Sequence, residues 1–357
     1  MKCAGAASPL PPSEVLCDLE AFLTRLRNES QRQFENGLPK RRHPSVAFYA
    51  GECPVRLLIP PKEAPTFPPD GGLFHVISLH QALLPVCHSA TFSDEEQSLR
   101  LSSPTGLELL RLNWELLLYL LFPSVQPDCL GGGIPSGAKG HEDGETVSAN
   151  SKEGMGGTCS IFSVHDVCFP LSWDDYSELR QPCLMDRVHY SYVVFLRFFG
   201  WRIHDEESGV LDRHRSWRLR YAALSRQDYF CCGHTASGDK DAVEGNGCVI
   251  YSTLMNKCAN ECSPRGGTGC GFEGRMPRHY YALTHILNVL LELCLIRYAV
   301  NLIAFLMEEM TKGRLLFLQP LLEEQWLPLV FNARQVPDAD KARLRHQLYR
   351  LTHSDSD

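Results

Sequence analysis

The sequence lacks the motifs of the common catalytic sites. It contains no Gly-x-Ser-x-Gly nucleophile elbow, phosphate-binding loop, dinucleotide-binding glycine motif or His-Glu-x-x-His zinc motif. Nucleophilic catalysis needs a hydroxyl or thiolate held beside a base. Cys87 and His88 are adjacent in sequence, but the side chains of sequence neighbours rarely point at each other. We therefore predict that the protein is not an enzyme.

Signals for export and for membrane insertion are also missing. The first residues, MKCAGAASPLPPSEV, have no basic start followed by an apolar core, and residue 2 is Lys rather than the Gly that myristoylation requires. The longest apolar region, residues 280–307, contains Glu292 and Arg297, and each central charge costs about 2.5–3.5 kcal/mol on insertion. We expect a nuclear or cytoplasmic protein whose association with a membrane is at most peripheral.

The chain has no excess of positive charge. Its 357 residues carry a net charge of −7, so it has no general attraction for nucleic acid or anionic lipid. Hydrophobic residues make up 44% and charged residues 22%, which is typical of a globular protein. The 15 cysteines are many and odd in number, and without an export signal we expect them to be reduced thiols.

Apolar residues at three- and four-residue steps predict helices over most of the chain. Trp201 to Arg213 instead predicts a small β-hairpin that turns at Ser208-Gly209, after a helix that ends at Gly200. The other predicted helices are 13–36, 106–122, a short one starting at the Ser172 capping box, 184–199, 216–227, 278–312 with any break near Cys294, and 338–351. The fold class is therefore mainly α.

These elements predict a single irregular multi-helix domain over residues 38–312. Two long insertions rich in Gly and Cys, at about 127–160 and 228–277, interrupt it as loops. A helical extension (1–37) precedes the domain and a helical tail (313–357) follows it. Residues 40–72 are rich in Pro and Gly, so we expect an extended arm anchored by Phe48-Tyr49 and by Leu57-Leu58-Ile59.

The second insertion contains a group of cysteines and a histidine. Structural zinc needs four soft ligands, usually in two close pairs. Cys258 and Cys262 offer one pair, and Cys231 or Cys232 with His234 offers another, but this spacing fits no standard zinc finger. We expect loop thiols and no cofactor, with a metal-binding or enzymatic module as the alternative.

One dense basic patch follows the predicted hairpin. Arg213, Arg215, Arg218 and Arg220 are interleaved with His214 and Trp217. Arginines beside an aromatic side chain can hold phosphates and stack on bases, so a nuclear factor associated with nucleic acid is a second alternative. The negative net charge favours a solvated helix face or a protein contact, and we expect no nucleic acid partner.

Aromatic side chains are frequent in the helices, and most of them are explained by core packing. Some could instead line a groove for a peptide, together with a histidine on an apolar helix that is more often a hydrogen-bonded interior residue. The candidate ligand-binding residues are Tyr119, Tyr192, Phe199, Trp217 and His285.

Short motifs occur in a fixed order along the chain. They are Phe48-Tyr49, Pro69-Asp70-Gly71, Leu121-Phe122-Pro123, Pro170-Leu171-Ser172 with Asp174 and Asp175, Phe198-Phe199-Gly200, Trp217, and Thr284 with Ile286-Leu287. In order and spacing this set resembles the conserved region of the opioid growth factor receptor family, over roughly residues 48–310. The resemblance implies a non-catalytic, receptor-type module that binds a peptide or protein partner, with nuclear and membrane association.

The chain departs from that family at two polar stretches. The family's His-Asp-Tyr-Ile-Gln-Trp before Leu-Phe-Pro is here residues 115–120, ELLLYL, and its Asn-x-Leu-Arg-Ile-Thr-Arg is here residues 279–285, HYYALTH. The packing residues are kept and the polar ones are lost. We therefore expect this chain to share the family's fold more closely than its ligand.

Overall fold

The computed structural model of the protein describes residues 12–37, 41–59, 72–83, 104–126, 162–227 and 278–353. Most of these residues are helical, which confirms the prediction of a mainly α fold. The α-helices are α1 (Pro12–Cys17), α2 (Leu19–Glu35), α3 (Pro44–Ala50), α4 (Val76–Leu83), α5 (Pro104–Leu112), α6 (Trp114–Leu121), α7 (Val164–Val167), α8 (Trp173–Leu179), α9 (Pro182–Phe199), α10 (Trp217–Gln227), α11 (Ala282–Glu292), α12 (Ile296–Thr311), α13 (Gln319–Leu321), α14 (Leu327–Asn332) and α15 (Asp338–His353).

Short 3₁₀ and π segments join some of these helices. A 3₁₀ turn, Arg278–Tyr281, precedes α11, and another, Leu316–Leu318, precedes α13. A π-helical turn, Leu322–Trp326, links α13 to α14. Pro320 and Pro328 each lie in the first turn of a helix, where a missing N–H costs no hydrogen bond. The two prolines therefore lie where short helical pieces begin in this apolar stretch.

The strands form two small antiparallel sheets. Strands β3 (Trp201–Asp205) and β4 (Val210–Arg213) make the predicted hairpin, with Trp201 opposite Arg213 and Ile203 opposite Leu211. Strands β1 (Val55–Arg56) and β2 (Leu73–Phe74) pair as Val55 with Phe74. The β1–β2 pair was not predicted, since two-residue strands leave no periodic pattern.

Helix ends follow the predicted capping residues. Ser172 and Asp175 form a capping box at the start of α8. Gly200 ends α9 in the left-handed conformation with φ 87°, which a side chain would disfavour. The predicted break near Cys294 is also present, because Cys294 has φ 59° and separates α11 from α12.

The predicted extended arm is wrong over residues 44–50. This segment is the helix α3, and its proline and glycine lie at the helix ends rather than inside it. Pro44 occupies the first turn, His43 Nδ1 accepts the Ser45 N–H at 3.1 Å, and Gly51 ends the helix with φ 84°. Phe48, Tyr49 and Leu57 are buried, but Leu58 is 65% exposed and anchors nothing.

Two predicted single helices are each broken once by a polar side chain. Asp18 lies between α1 and α2 and accepts the Ala21 N–H at 3.1 Å. Asn113 lies between α5 and α6, where its amide exchanges two hydrogen bonds of 2.9 Å with the backbone of Leu58. Asp18 therefore satisfies a first-turn N–H of α2, and Asn113 satisfies the backbone of the segment after β1.

Helix α9 runs through the centre of the hydrophobic core. Its Phe195 and Phe198 rings lie 5.1 and 4.5 Å from Trp114 of α6, and Phe199 stacks on Trp201 at 4.9 Å with an interplanar angle of 21°. With Tyr280, which lies 5.2 Å from Phe199, these residues form what we call the interior aromatic cluster.

A single buried hydrophobic cluster includes residues from Val15 in α1 to Leu351 in α15. Helix α1 packs on α14, and α15 packs on α12. The predicted extension and tail therefore share the core of the predicted domain. The two predicted insertions, 127–160 and 228–277, lie outside the described residues. Within the described parts of the chain, no helix is both long and apolar enough to cross a membrane.

Candidate functional site

Four of the five predicted ligand residues lie in the protein interior. Tyr119, Tyr192, Phe199 and His285 are all buried. Phe199 belongs to the interior aromatic cluster, and Tyr192 lies 5.5 Å from the Tyr298 ring. Each ring packs against other side chains on the solvent-excluded side of its helix, so ligand contact would require the core to open.

His285 is held as a neutral hydrogen-bond donor. Its Nε2 lies 2.7 Å from the Phe122 carbonyl oxygen, and a carbonyl can only accept, so Nε2 carries the proton. Complete burial lowers the pKa of His285 to about 4. The Tyr119 ring meets the imidazole edge-on at 4.9 Å. These contacts fix the turn after α6 against α11.

Trp217 is the fifth predicted residue, and it lies at the surface in the first turn of α10. The start of α10 is pressed against the end of α9 at Gly200. A Cβ on Gly200 would lie 2.9 Å from the Trp217 Cα and 3.0 Å from the Arg220 Cβ. A glycine at position 200 therefore allows both the left-handed end of α9 and the close approach of α10. The indole is partly exposed beside the hairpin.

Three guanidinium groups lie over the Trp217 ring. Their central carbons are 4.8 Å (Arg213), 5.3 Å (Arg218) and 5.2 Å (Arg314) from the ring centroid. The arginines come from β4, from α10 and from the loop after α12, so three separate elements converge here. Attraction between a cation and an indole is worth about 0.5–1 kcal/mol at an exposed site. We call these four residues the Trp217 surface.

A buried carboxylate positions two of these arginines. Glu309 of α12 is 1% exposed, and its oxygens lie 3.7 Å from Arg213 Nε and 3.3 Å from Arg314 Nε. The Arg314 Nε–H does not point at the Glu309 oxygen closely enough to make a hydrogen bond, so this contact is an ion pair only. Tyr221 donates its hydroxyl to Glu309 at 3.0 Å and accepts the Trp201 indole N–H at 2.8 Å. Glu309 therefore ties the Trp217 surface to the interior aromatic cluster.

More arginines surround the hairpin next to the Trp217 surface. Arg220 donates from Nε to the Phe198 carbonyl at 2.7 Å and so caps α9. Arg202 pairs with Asp212 across the hairpin at 2.9 Å. Arg197 lies in the last turn of α9. Burial first, and then the nearby charges of Arg197, Arg202 and Arg215, lower the pKa of His214 to about 4. This part of the surface is strongly cationic, although the chain as a whole is acidic.

A serine–histidine pair in the interior shows why close nucleophile and base groups are not sufficient for catalysis. Ser191 Oγ lies 2.8 Å from His80 Nε2 and 2.8 Å from the Tyr49 hydroxyl, which in turn donates to the Leu121 carbonyl at 2.7 Å. Ser191 and Tyr49 are fully buried and His80 nearly so. The network joins α3, α4, α6 and α9, and its serine has no access to a substrate.

The predicted metal pair, Cys258 and Cys262, lies outside the described residues. Within the parts of the chain that the structure describes, no three His, Cys, Asp or Glu side chains come together as a metal site would require.

Trp217, Arg213 and Arg218 could be recognised as candidates from the sequence, but Glu309, Arg314 and Tyr221 could not. Arg213 and Arg218 belong to one dense run in the sequence, whereas Glu309 and Arg314 follow about a hundred residues later. One feature of the sequence did point to Glu309. It is a charged residue in an otherwise apolar helix, and a buried carboxylate normally has a charged or hydrogen-bonding partner.

The arrangement offers forked N–H donors fixed around an aromatic ring, which suits carboxylate or phosphate oxygens.

Comparisons of the chain with protein-family models, with curated proteins and with solved structures gave no match.

Proposed function

We propose that the protein is a non-catalytic interaction module that binds a protein partner through an acidic peptide segment at the Trp217 surface. One observation carries the proposal. Trp217 is the predicted ligand residue that lies at the surface, arginines from three elements surround its ring, and a buried carboxylate positions two of them.

Charge complementarity is the reason for proposing an acidic peptide as the ligand of the Trp217 surface. Arg218 is exposed and makes no ion pair within the described residues, and Arg213 and Arg314 share the single carboxylate of Glu309. Positive charge therefore exceeds negative charge at this surface. Arginines and tryptophan are also the residues that most often dominate binding energy at protein interfaces.

The resemblance to the opioid growth factor receptor family supports the receptor-type part of the proposal. On that basis the partner is a peptide or protein met in the nucleus or cytoplasm, and any membrane association is peripheral. The polar residues that this chain lacks lie at 115–120 and 279–285, and the Trp217 surface uses neither stretch. The proposed contact is therefore compatible with the loss of the family's polar motifs.

A nucleic acid is the competing ligand for the same arginines. Base stacking needs a free aromatic face, and at Trp217 the guanidinium groups compete with a base for the ring. A protein that neutralises several phosphates also loses affinity steeply as salt rises, so salt dependence separates the two ligands.

The test is fluorescence anisotropy with a labelled Glu/Asp-rich peptide, a neutral peptide of equal length and a single-stranded RNA. We expect the acidic peptide to bind and the neutral peptide not to bind. Arg218→Gln should weaken acidic-peptide binding about threefold to tenfold, because one charge-assisted contact is lost.

Arg32→Gln is the matched control, because Arg32 is an exposed arginine of α2, which packs on α1 and α8 away from the hairpin. Equal binding of the acidic and neutral peptides, or an equal effect of the two variants, would overturn the proposal. Tighter binding of RNA than of the acidic peptide, with a steep salt dependence, would favour the nucleic acid instead.

A further inference from the structure

An open cavity lies between helices α2 and α8. It has a volume of about 440 Å³, and Phe34 and Trp173 form its aromatic wall. Arg27, Ser30 and Asp174 supply polar groups around these rings. The Ser30 hydroxyl donates to Asp174 Oδ2 at 2.9 Å. The cavity therefore has walls from two helices that a hydrogen bond ties together.

Phe34 exposes its ring to solvent. It is 84% exposed near the end of α2, although α2 buries Leu19 at its other end. A single exposed apolar side chain is common on a protein surface. Here, however, the exposed ring lies on a cavity that Trp173 also lines. Aromatic side chains often supply much of the binding energy at protein interfaces, so this cavity suits a ligand with an apolar or planar group.

The Trp173 ring already holds a guanidinium group. The Arg27 Cζ lies 5.7 Å from the ring centroid. Arg27 is exposed, and it makes no ion pair with any residue that the structure describes. A cation over an indole in contact with water is held weakly. A guanidinium group from a partner can therefore replace Arg27 over this ring if a carboxylate lies close enough to pair with it.

Carboxylates are concentrated in a second cavity, of about 470 Å³, which shares Asp174 with the first. Its other lining residues are Arg42, Glu52, Asp175 and Glu178. Arg42 pairs with both Glu52 and Glu178. Asp175 is buried in the capping box of α8. Over the two cavities together, carboxylates outnumber arginines by four to two. We call the two cavities the α2–α8 groove, and its negative charge attracts cations.

We propose that the α2–α8 groove binds a basic segment of a protein partner, with an arginine of that segment over Trp173 in place of Arg27. An arginine is a better match than a lysine, because a planar guanidinium stacks on an indole and pairs with a carboxylate through two parallel N–H groups. Asp174 is the carboxylate that lines the cavity beside Trp173. Glu52 and Glu178 attract further cations of the segment.

The groove goes beyond the proposed function, because it shares no residue with the Trp217 surface and has the opposite charge. Either surface can therefore bind its segment when the other does not. Failure of the acidic peptide to bind at Trp217 would leave the groove unaffected, and the reverse also holds.

The test is fluorescence anisotropy with a labelled Arg-rich peptide, a Lys-rich peptide and a neutral peptide of equal length. We expect the Arg-rich peptide to bind most tightly and the neutral peptide not to bind. Asp174→Asn keeps an oxygen for the Ser30 hydroxyl but removes the charge, so it should weaken binding of the Arg-rich peptide about threefold to tenfold. Glu324→Gln is the control, at an exposed carboxylate that lines neither cavity. An equal effect of the two variants would overturn the pairing with Asp174.

Phe34→Ala tests the aromatic wall. It should weaken binding of the Arg-rich peptide about tenfold, because the segment loses its contact with the ring. The side chain is 84% exposed, so we expect this variant to fold like wild type even if Asp174→Asn does not. Tyr349→Ala is the matched control, because Tyr349 is a 60% exposed aromatic residue of α15. Unchanged binding in Phe34→Ala would overturn the groove as the binding site.

Arg27→Gln is expected to tighten binding of the Arg-rich peptide. It frees the face of Trp173, and the affinity should rise about twofold to fivefold, which corresponds to one exposed contact between a cation and an indole. Arg32→Gln removes the same charge from the same helix at a position that lines neither cavity, so its effect should be smaller. Equal tightening by the two variants would show attraction by charge alone and overturn the stacking on Trp173.

The remaining outcomes concern the nature of the ligand. Equal binding of the Arg-rich and neutral peptides would overturn the inference, and equal binding of the Arg-rich and Lys-rich peptides would overturn the stacked arginine. Sedimentation of the protein alone tests a second copy of the chain as the occupant. A dimer that dissociates in Phe34→Ala would assign the groove to self-association and overturn its assignment to a basic partner.

Discussion

Two tryptophans sixteen residues apart have opposite surroundings. Trp201 is fully buried, stacks on Phe199 and places its ring 5.5 Å from Phe305. Trp217 is partly exposed and has three guanidinium groups over its ring. Both are linked to Tyr221, which accepts the Trp201 N–H and lies edge-on to the Trp217 ring at 5.2 Å.

The two tryptophans differ in whether their surroundings are complete without a ligand. Around Trp201 the neighbours are apolar or neutral, and the indole N–H has its acceptor, so the environment is complete without a ligand. Around Trp217 the neighbours are charged and only partly compensated, so under the proposed function we expect an added anion to be stabilising. Composition alone would class the two tryptophans together.

The largest expected effect follows from Trp201→Ala. Removing a fully buried indole leaves a cavity among Phe199, Phe305 and Tyr221, and such changes cost about 3–5 kcal/mol. Urea unfolding should give that loss as a lower midpoint with an unchanged slope. A loss below about 1 kcal/mol would mean that Trp201 is not part of a close-packed core.

The second prediction tests whether the interior excludes charge. His285 has a folded pKa of about 4, below its unfolded value of 6.5, so its neutral form is favoured in the folded protein. Its contribution to stability is complete above pH 6.5 and is lost as the pH falls toward 4. His285→Gln keeps an N–H for the Phe122 carbonyl but does not titrate. Wild type should therefore lose about 2 kcal/mol more than this variant between pH 7 and pH 5.

Urea unfolding at several pH values measures this difference. His43 and His80 also have pKa values lowered to about 4 by burial, so both proteins should still become less stable in acid. Parallel stability–pH curves for wild type and His285→Gln would show that His285 is accessible to protons in the folded protein. The contrast between a neutral interior and a charged surface would then fail at this position.

The third prediction concerns Glu309, which connects the two environments. Glu309→Gln removes the charge between Arg213 and Arg314 but keeps an oxygen for the Tyr221 hydroxyl. Because both arginines are partly exposed, we expect a loss of only about 1–2 kcal/mol. Binding of the acidic peptide should also weaken, since two guanidinium groups lose their common anchor.

Arg314→Gln provides the matched comparison, because it removes one cation and leaves Glu309 paired with Arg213. If Glu309→Gln lowered stability without changing peptide affinity, Glu309 would be a core residue only. If it tightened peptide binding, the free arginines would be better placed without their anchor, and the positioning role would be wrong.

Local features of the fold were predicted correctly where a single residue determines the local backbone conformation. Gly200 must end α9, Cys294 lies where the apolar run breaks, and Ser172 begins α8 with its capping box. It predicted α3 wrongly, because a proline and a glycine at the two ends of a short helix give the same composition as a loop. Asn113 breaks a helix through a contact with Leu58 that no local pattern contains.

The candidate site was less predictable than the fold. The basic run from Arg213 to Arg220 and its tryptophan were visible in the sequence, but whether a ring is exposed depends on which elements pack over it. From the sequence, Tyr192 and Trp217 were equal candidates, each an aromatic residue on a predicted helix. The structure separates them, because Tyr298 of α12 covers Tyr192, whereas Glu309 of α12 and Arg314 of the following loop lie beside Trp217.

The smallest effect on stability is expected from Trp217→Ala, and this prediction is the sharpest contrast with Trp201→Ala. The indole is partly exposed, and its contacts with guanidinium groups are worth about 0.5–1 kcal/mol each in water, so the free energy of unfolding should fall by about 1 kcal/mol or less after the arginines rehydrate. Affinity for the acidic peptide should fall about tenfold, since the ring that aligns the three arginines is lost. Urea unfolding and peptide anisotropy on the same two variants test both halves. A Trp217→Ala protein that unfolds as readily as Trp201→Ala would make Trp217 a core residue, and one that binds the peptide as tightly as wild type would remove the ring from the binding surface.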